Sequence, residues 1–245
     1  MTFWEALLLV GGGGLAGVIN AMAGGGSSLT VPLLVLAGVP GNAANGSNRV
    51  GILASTISTT GSFHMRGVTA YGEAASILAP VVAGSVVGSL AISRVGDDQF
   101  ETIFGLIMLP IIFLSIREPK PRPNGHAWSR PTTWAVFFAV GIYGGAVQAG
   151  VGLILLAALT RSGSDLVTAN VTKVLVTLAV TAAALPVFII NGDVRWGPAL
   201  VLAAGLVVGG WVGARIAVEG GERVIRAVML VAAIGLAGRL LGFYG

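Results

Sequence analysis

GLAGVINAMAGGGSSLTVPLLVLAGVPGNAANGSNRVG, residues Gly14–Gly51, is an apolar run long enough to cross a bilayer, interrupted by glycine, asparagine and one arginine. Polar groups in hydrocarbon are costly, so their concentration here marks a site. Gly24, Gly25 and Gly26 expose backbone, and Ser27, Ser28 and Thr30 follow where a new helix can begin. Asn45, Gly46, Ser47, Asn48 and Arg49 then lead into the next apolar segment, which sets a cation and amides at a second expected helix start.

The rest of the chain is membrane-like. Of its 245 residues 55% are hydrophobic and 10% charged, and the mean hydropathy of +0.90 lies far above that of a soluble domain. Apolar stretches near the length of a bilayer-spanning helix recur from end to end, which predicts an all-α polytopic protein forming one integral membrane domain, residues 1–245. The N-terminus lacks a basic region before its apolar run and reads as a retained first span. The absence of cysteine excludes disulfides, thiolate metal sites and cysteine nucleophiles. The formal charge of +4 comes from loop arginine and lysine and orients the chain; no basic patch with interleaved aromatics suggests nucleic acid.

Apolar segments are expected over about Phe3–Ala23, Leu29–Val39, Val50–Phe63, Ala70–Ile92 and Phe100–Ile116. Residues 117–132, with Arg117, Lys120, Arg122 and Arg130 among prolines, read as a cytoplasmic linker. The rhythm then restarts over about Trp134–Ala149, Val151–Leu159, Val171–Ile190, Ala199–Val218 and Val224–Phe243. An offset of 125 pairs Asn45 with Asn170, Ser47 with Thr172, Asn48 with Lys173, Thr56 with Thr181, Gly67 with Gly192, Tyr71 with Trp196 and Gly72 with Gly197. An offset of 121 then pairs Gly84, Gly88 and Arg94 with Gly205, Gly209 and Arg215, and Met108 and Leu109 with Met229 and Leu230. Gly150 and Gly152 echo the glycine triplet loosely.

Two pseudosymmetric halves follow, repeat 1 over 1–116 and repeat 2 over 133–245, of four to five helical segments each, with broken or re-entrant helices at the glycine motifs. Five segments per half would invert the second half relative to the first. That count sets Arg66, Arg161, Arg223 and Arg226 with the linker inside, and leaves Arg94 and Arg195 outside beside aspartates. The charges favour it, while a parallel eight-span count stays open because the second segments are short.

Nearly all of the ten acidic residues fall at expected membrane surfaces, and only Glu73 starts a span. By contrast, Arg49 and Lys173 close duplicated polar clusters, NGSNR and NVTK. Two such cations with hydroxyls and helix-end amides can replace water around an anion. The competing reading has both cations snorkelling to headgroups. Asn20 and Gln148 precede the glycine breaks and either line the same cavity or tie helices together. The substrate-binding set is therefore Asn20, Gly24, Gly25, Gly26, Ser27, Ser28, Asn45, Ser47, Asn48, Arg49, Gln148, Gly150, Gly152, Asn170, Thr172 and Lys173. His64 and Arg66 read as loop residues, and the Gly84/Gly88 and Gly205/Gly209 pairs as close helix contacts within or between subunits. No HExxH, paired acids, activated serine or phosphate loop supports an enzyme, and no cofactor or metal is expected.

NAMAGGGSSLTVPLL, Asn20–Leu34, and AANGSNR, Ala43–Arg49, resemble the two motifs of the TauE/SafE group of sulfite and organosulfonate exporters. Arginine stands at Arg49 where the group usually has lysine, which widens the donor fork. ANVTK, Ala169–Lys173, is similar to the repeated motif, while Tyr143–Gly152 lacks the full triplet. The resemblance implies a multi-pass permease of the cytoplasmic membrane. It would export a small sulfur-containing anion such as sulfite or sulfoacetate by alternating access, and a homodimer is plausible. An anion channel and a non-transporting assembly factor are the alternatives. The half-repeated triplet predicts asymmetric binding, with most backbone donors from Gly24–Ser28.

Overall fold

The computed structural model describes residues 1–116 and 128–240, with side-chain surroundings for 1–107 and 128–220. The linker around Arg117, Lys120 and Arg122, the end of the last expected segment at Phe243, and the side chains of Met108, Leu109, Arg223, Arg226, Met229 and Leu230 lie outside these.

The described residues are helical throughout, without strands. The order is α1 Phe3–Met22, α2 Ser27–Leu36, α3 Gly41–Met65, α4 Tyr71–Ile92 and α5 Asp97–Ile116, then α6 Arg130–Ala146, α7 Val151–Arg161, α8 Leu166–Ile190 and α9 Trp196–Leu240. Helices α1, α4, α8 and the Trp196–Gly220 part of α9 are long and apolar enough to cross a bilayer. The short α2 and α7 follow the two breaks. At Gly24 the backbone turns left-handed, with φ of 83°, and at Gly150 with φ of 71°, which ends α1 and α6 and restarts the chain in a new direction.

Two sequence expectations change. The last two apolar segments form one continuous helix, α9; the Gly220–Gly221 pair between them does not break it, and no proline lies there. Asn45–Arg49 and Asn170–Lys173 do not begin helices either. Helix α3 starts at Gly41 behind Pro40, and α8 at Leu166 behind Asp165, whose carboxylate accepts from the Val167 and Thr168 amides. The polar clusters therefore lie within their helices, where backbone amides are already bonded.

The glycines set the packing. Helix α1 lies along α9, and α6 lies along α4. A Cβ on Gly17 would meet the Leu206 carbonyl at 2.6 Å, and one on Gly88 would meet the Ala146 amide nitrogen at 3.0 Å. Gly205 and Gly209 approach α1, while Gly84 and Gly88 approach α6, so both G-x-x-x-G pairs make contacts within the chain. The first helix after each terminus or linker thus packs on a helix from the other side of the sequence.

Polar contacts sort the helix ends into two layers. At one end the start of α4 meets the α7–α8 turn, where Glu73 accepts from the Ser164 and Thr172 hydroxyls. At the other, the start of α3 meets the start of α5 and the α8–α9 turn. There the Asn42 amide donates to Asp97 at 2.8 Å, and the Arg195 amide donates to Ser47 Oγ at 2.8 Å.

Candidate anion site

The two breaks touch each other inside the bundle. A Cβ on Gly24 would stand 2.5 Å from Gly152 Cα, and the Gly150 amide donates to Ser27 Oγ at 3.3 Å while that hydroxyl reaches the Gln148 carbonyl at 3.2 Å. Gly26 is packed against α1, where a Cβ would come 2.7 Å from Asn20 Cβ. The Gly25 and Gly26 carbonyls accept the turn bonds that open α2, from the Ser28 and Leu29 amides.

Around this junction lie the two cations. Arg49 is fully buried and Lys173 is 1% exposed, so neither snorkels to a headgroup. Arg49 reaches from α3 to the last turn of α6, donating to the Gly144 carbonyl at 3.1 Å and the Gly145 carbonyl at 2.6 Å. Lys173 reaches from α8 to the last turn of α1, donating to the Asn20 carbonyl at 2.9 Å and the Ala21 carbonyl at 3.4 Å. Neither α1 nor α6 carries a basic residue in its own last turn. Carbonyls at a helix C-terminus hold partial negative charge, and a cation from another helix compensates it. The neighbouring asparagines repeat the pattern: Asn45 Nδ2 donates to the Ala146 carbonyl at 2.8 Å, and Asn170 Nδ2 to the Ala21 carbonyl at 3.1 Å.

The two arrangements differ in what is left over. Lys173 Nζ has a third partner, Asn170 Oδ1 at 2.6 Å, so its three donors are used. Arg49 lies 4.3 Å above the Phe188 ring, and its Nε has no partner. On α2, on α3 and at the second break, four more buried polar atoms are unpaired: Ser28 Oγ, Asn45 Oδ1, Asn48 Nδ2 and Gln148 Oε1. Asn48 is held through its other amide atom, which accepts from Thr30 Oγ1 at 2.6 Å, and Gln148 through Nε2, which donates to Thr181 at 2.5 Å. Gln148 itself sits at a positive φ of 62°, a backbone conformation that costs a non-glycine residue free energy. Among the described residues neither cation has a carboxylate within salt-bridge distance.

Most of the expected residues come together: Gly24–Ser28, Asn45, Asn48, Arg49, Gln148, Gly150 and Gly152 at the junction, and Asn20, Asn170 and Lys173 beside it. Asn20 serves Lys173 through its main-chain carbonyl. Ser47 and Thr172 point elsewhere, to Arg195 and Glu73. Thr30, named with the hydroxyls after the triplet but left out of the binding set, bonds to Asn48, Thr181 bonds to Gln148, and Phe188 lies under Arg49. The repeated Thr56/Thr181 pair was a visible signal for one of them; Phe188 gave none.

A broken-helix junction with buried cations, in a bundle of apolar helices, is a permease arrangement. The family model described as "Sulfite exporter TauE/SafE" matches residues 9–240. The chain belongs to the TauE/SafE family. Among similar proteins, a probable membrane transporter protein of Sinorhizobium sp, ORF9, is 27% identical over 231 residues, covering 93% of this chain and 88% of its own. The probable membrane transporter protein YfcA of Escherichia coli (strain K12) is also 27% identical, covering 93% and 86%. A probable membrane transporter protein of Haemophilus influenzae is 25% identical over 225 residues, covering 89% and 88%. No solved structure matches the chain. Membership of TauE/SafE makes this chain an integral membrane transporter of the TauE/SafE type, a family of membrane permeases.

Proposed function

We propose that the chain carries a small oxyanion of the sulfite or organosulfonate class outward across the cytoplasmic membrane, by alternating access around Arg49. The observation that carries this reading is Arg49, a fully buried cation with an unpaired Nε and no carboxylate partner among the described residues, in a protein interior that also leaves the donors Ser28 Oγ and Asn48 Nδ2 and the acceptors Asn45 Oδ1 and Gln148 Oε1 unpaired. A buried unsatisfied donor costs about 1–3 kcal/mol, so several in one place are kept for a ligand that satisfies them. An acceptor-rich anion meets these donors, and the buried charge of Arg49 disfavours a cation even though Asn45 Oδ1 and Gln148 Oε1 are unpaired acceptors. The family description names sulfite, which supports the sulfur-oxyanion class.

Complete burial of both cations favours a carrier caught closed over an open pore. The two layers of helix ends support inverted halves in which α1–α2 and α6–α7 are hairpins entering from opposite faces, with the Arg66 and Arg161 ends cytoplasmic.

The test is flux of sulfite and sulfoacetate in proteoliposomes. Combining Arg49→Gln with Lys173→Gln is expected to abolish transport in a protein that stays monodisperse but unfolds at lower temperature, because both side chains also close buried helix ends. Undiminished flux in that variant overturns the site assignment.

A further inference from the structure

Ser47 and Thr172 occupy equivalent places in the duplicated clusters, two residues before Arg49 and one before Lys173. Both are fully buried, yet neither hydroxyl faces the junction. Thr172 Oγ1 donates at 3.3 Å to Glu73 Oε2 in the first turn of α4, and the Ser164 hydroxyl donates to the other carboxylate oxygen. Ser47 Oγ accepts at 2.8 Å from the Arg195 amide, immediately before α9. Each equivalent hydroxyl therefore ties the polar stretch of α3 or α8 to the start of the long helix that packs on the other side of the sequence. The two ties lie in opposite layers of the bundle, one beyond each cation.

We infer that these hydroxyls are gate ties, not substrate ligands: Thr172 with Glu73 and Ser164 closes one mouth, and Ser47 with the Arg195 amide closes the other. The inference rests on the alternating-access reading.

Three features fit a contact made to separate. The α1–α9 and α4–α6 contacts are backbone against glycine, leaving no room for water and little freedom to slide. The Glu73 tie, by contrast, is two hydrogen bonds, which water replaces at small cost once a mouth floods; the Ser47 tie parts only together with the Asn42 bonds to Asp97 and Asp193 and the packing of Gly46 on the Asp193 backbone. Released groups also remain well placed. An ionised Glu73 in the first turn of α4 still faces a helix N-terminus, and a free Arg195 amide beside α9 is readily hydrated. Finally, both ties are closed together here, as the burial of both cations requires.

The chain has no cysteine, so single cysteines report accessibility without a background. Val171, 3% exposed and next to Thr172, is replaced as Val171→Cys and labelled with a membrane-impermeant maleimide in right-side-out and inverted vesicles. Adding Glu73→Ala or Ser164→Ala is expected to raise the labelling rate at least fivefold from one face only. In the mirror experiment Ala44→Cys carries Ser47→Ala, with labelling rising from the opposite face. Glu73→Gln, which keeps one acceptor oxygen, is expected to fall between parent and Glu73→Ala, and it replaces Glu73→Ala if that variant does not fold. Unchanged labelling in both Glu73→Gln and Ser164→Ala overturns the inference, as does labelling that rises equally from both faces. Sulfite flux of the unmutated protein is measured alongside. Flux with unchanged labelling sinks the gates alone, whereas absent flux sinks the transport reading whatever the labelling shows.

Discussion

Lys173 on α8 donates at 2.9 Å to the main-chain carbonyl of Asn20, the third residue from the end of α1. A side chain predicted to hold an anion thus also closes the C-terminus of a broken helix contributed from elsewhere in the sequence. Arg49 does the same for α6. Lys173→Gln should leave the Asn20 and Ala21 carbonyls poorly satisfied at a buried helix end, costing about 1–3 kcal/mol. The fall is read in thermal unfolding of the detergent-purified protein. Lys173→Arg is expected to recover only part of it, because the fully used ammonium site has no room for a planar fork.

Ser28 provides the opposite signature. Its hydroxyl has no partner and is buried, so Ser28→Ala removes an unsatisfied group and should leave stability unchanged or slightly raised. If that hydroxyl meets an oxyanion, losing one hydrogen bond to a charged group costs about 1.5–3 kcal/mol, roughly a tenfold or greater loss of affinity. Sulfite-induced stabilisation measured as a function of concentration checks both halves. A Ser28→Ala protein with parental affinity would remove this hydroxyl from the site.

Gly24 cannot carry a side chain. Its φ of 83° disfavours any Cβ, and the Cβ would stand 2.5 Å from Gly152 Cα with no flexible group to yield. Gly24→Ala should force the two breaks apart, lowering yield and thermal stability sharply. Gly38, also at positive φ but with open space around it, provides the control, and Gly38→Ala should cost only about 1 kcal/mol.

Two aspartates outside the spans predict opposite pH behaviour. Asp165 is held below the ordinary carboxylate value by the Thr168 side chain, against burial, with help from the Thr168 and Val167 amides. A depressed folded value stabilises above the unfolded value and loses that contribution as pH falls through the folded one. Asp165→Ala should therefore cost about 1 kcal/mol of cap at neutral pH and progressively less below about pH 4. Asp193 is pushed up by burial and then by Asp97, with Arg195 pulling the other way. A raised value favours the native state below the unfolded value, a contribution lost as pH rises through the folded one. Asp193→Asn keeps an acceptor for Asn42 Nδ2, which lies 3.4 Å from Asp193 Oδ2. That variant should be as stable as the parent or more so at neutral pH, with a flatter pH profile above about pH 4.

The sequence by itself determined the membrane class, the apolar segments up to the start of α9, the two breaks and the two cations in the duplicated clusters. Those properties are local or periodic: apolar run length, glycine at left-handed turns, and the repetition of NGSNR as NVTK are all written in the order of residues. It misplaced the helix starts at the polar clusters, because Pro40 and Asp165 set them several residues earlier and the polar residues then continue the helix inside protein rather than lipid. What only the tertiary structure decided is where the polar atoms point. Helix ends leave carbonyls that must be satisfied wherever they are buried, and which cation satisfies them depends on which helix packs alongside. Arg49 therefore meets Gly144 and Gly145, and Lys173 meets Asn20 and Ala21, at sequence separations no pattern announces. The same packing left Ser28, Asn48 and Arg49 with unused donors on one side, fully paired Lys173 on the other, and turned Ser47 and Thr172 away from both.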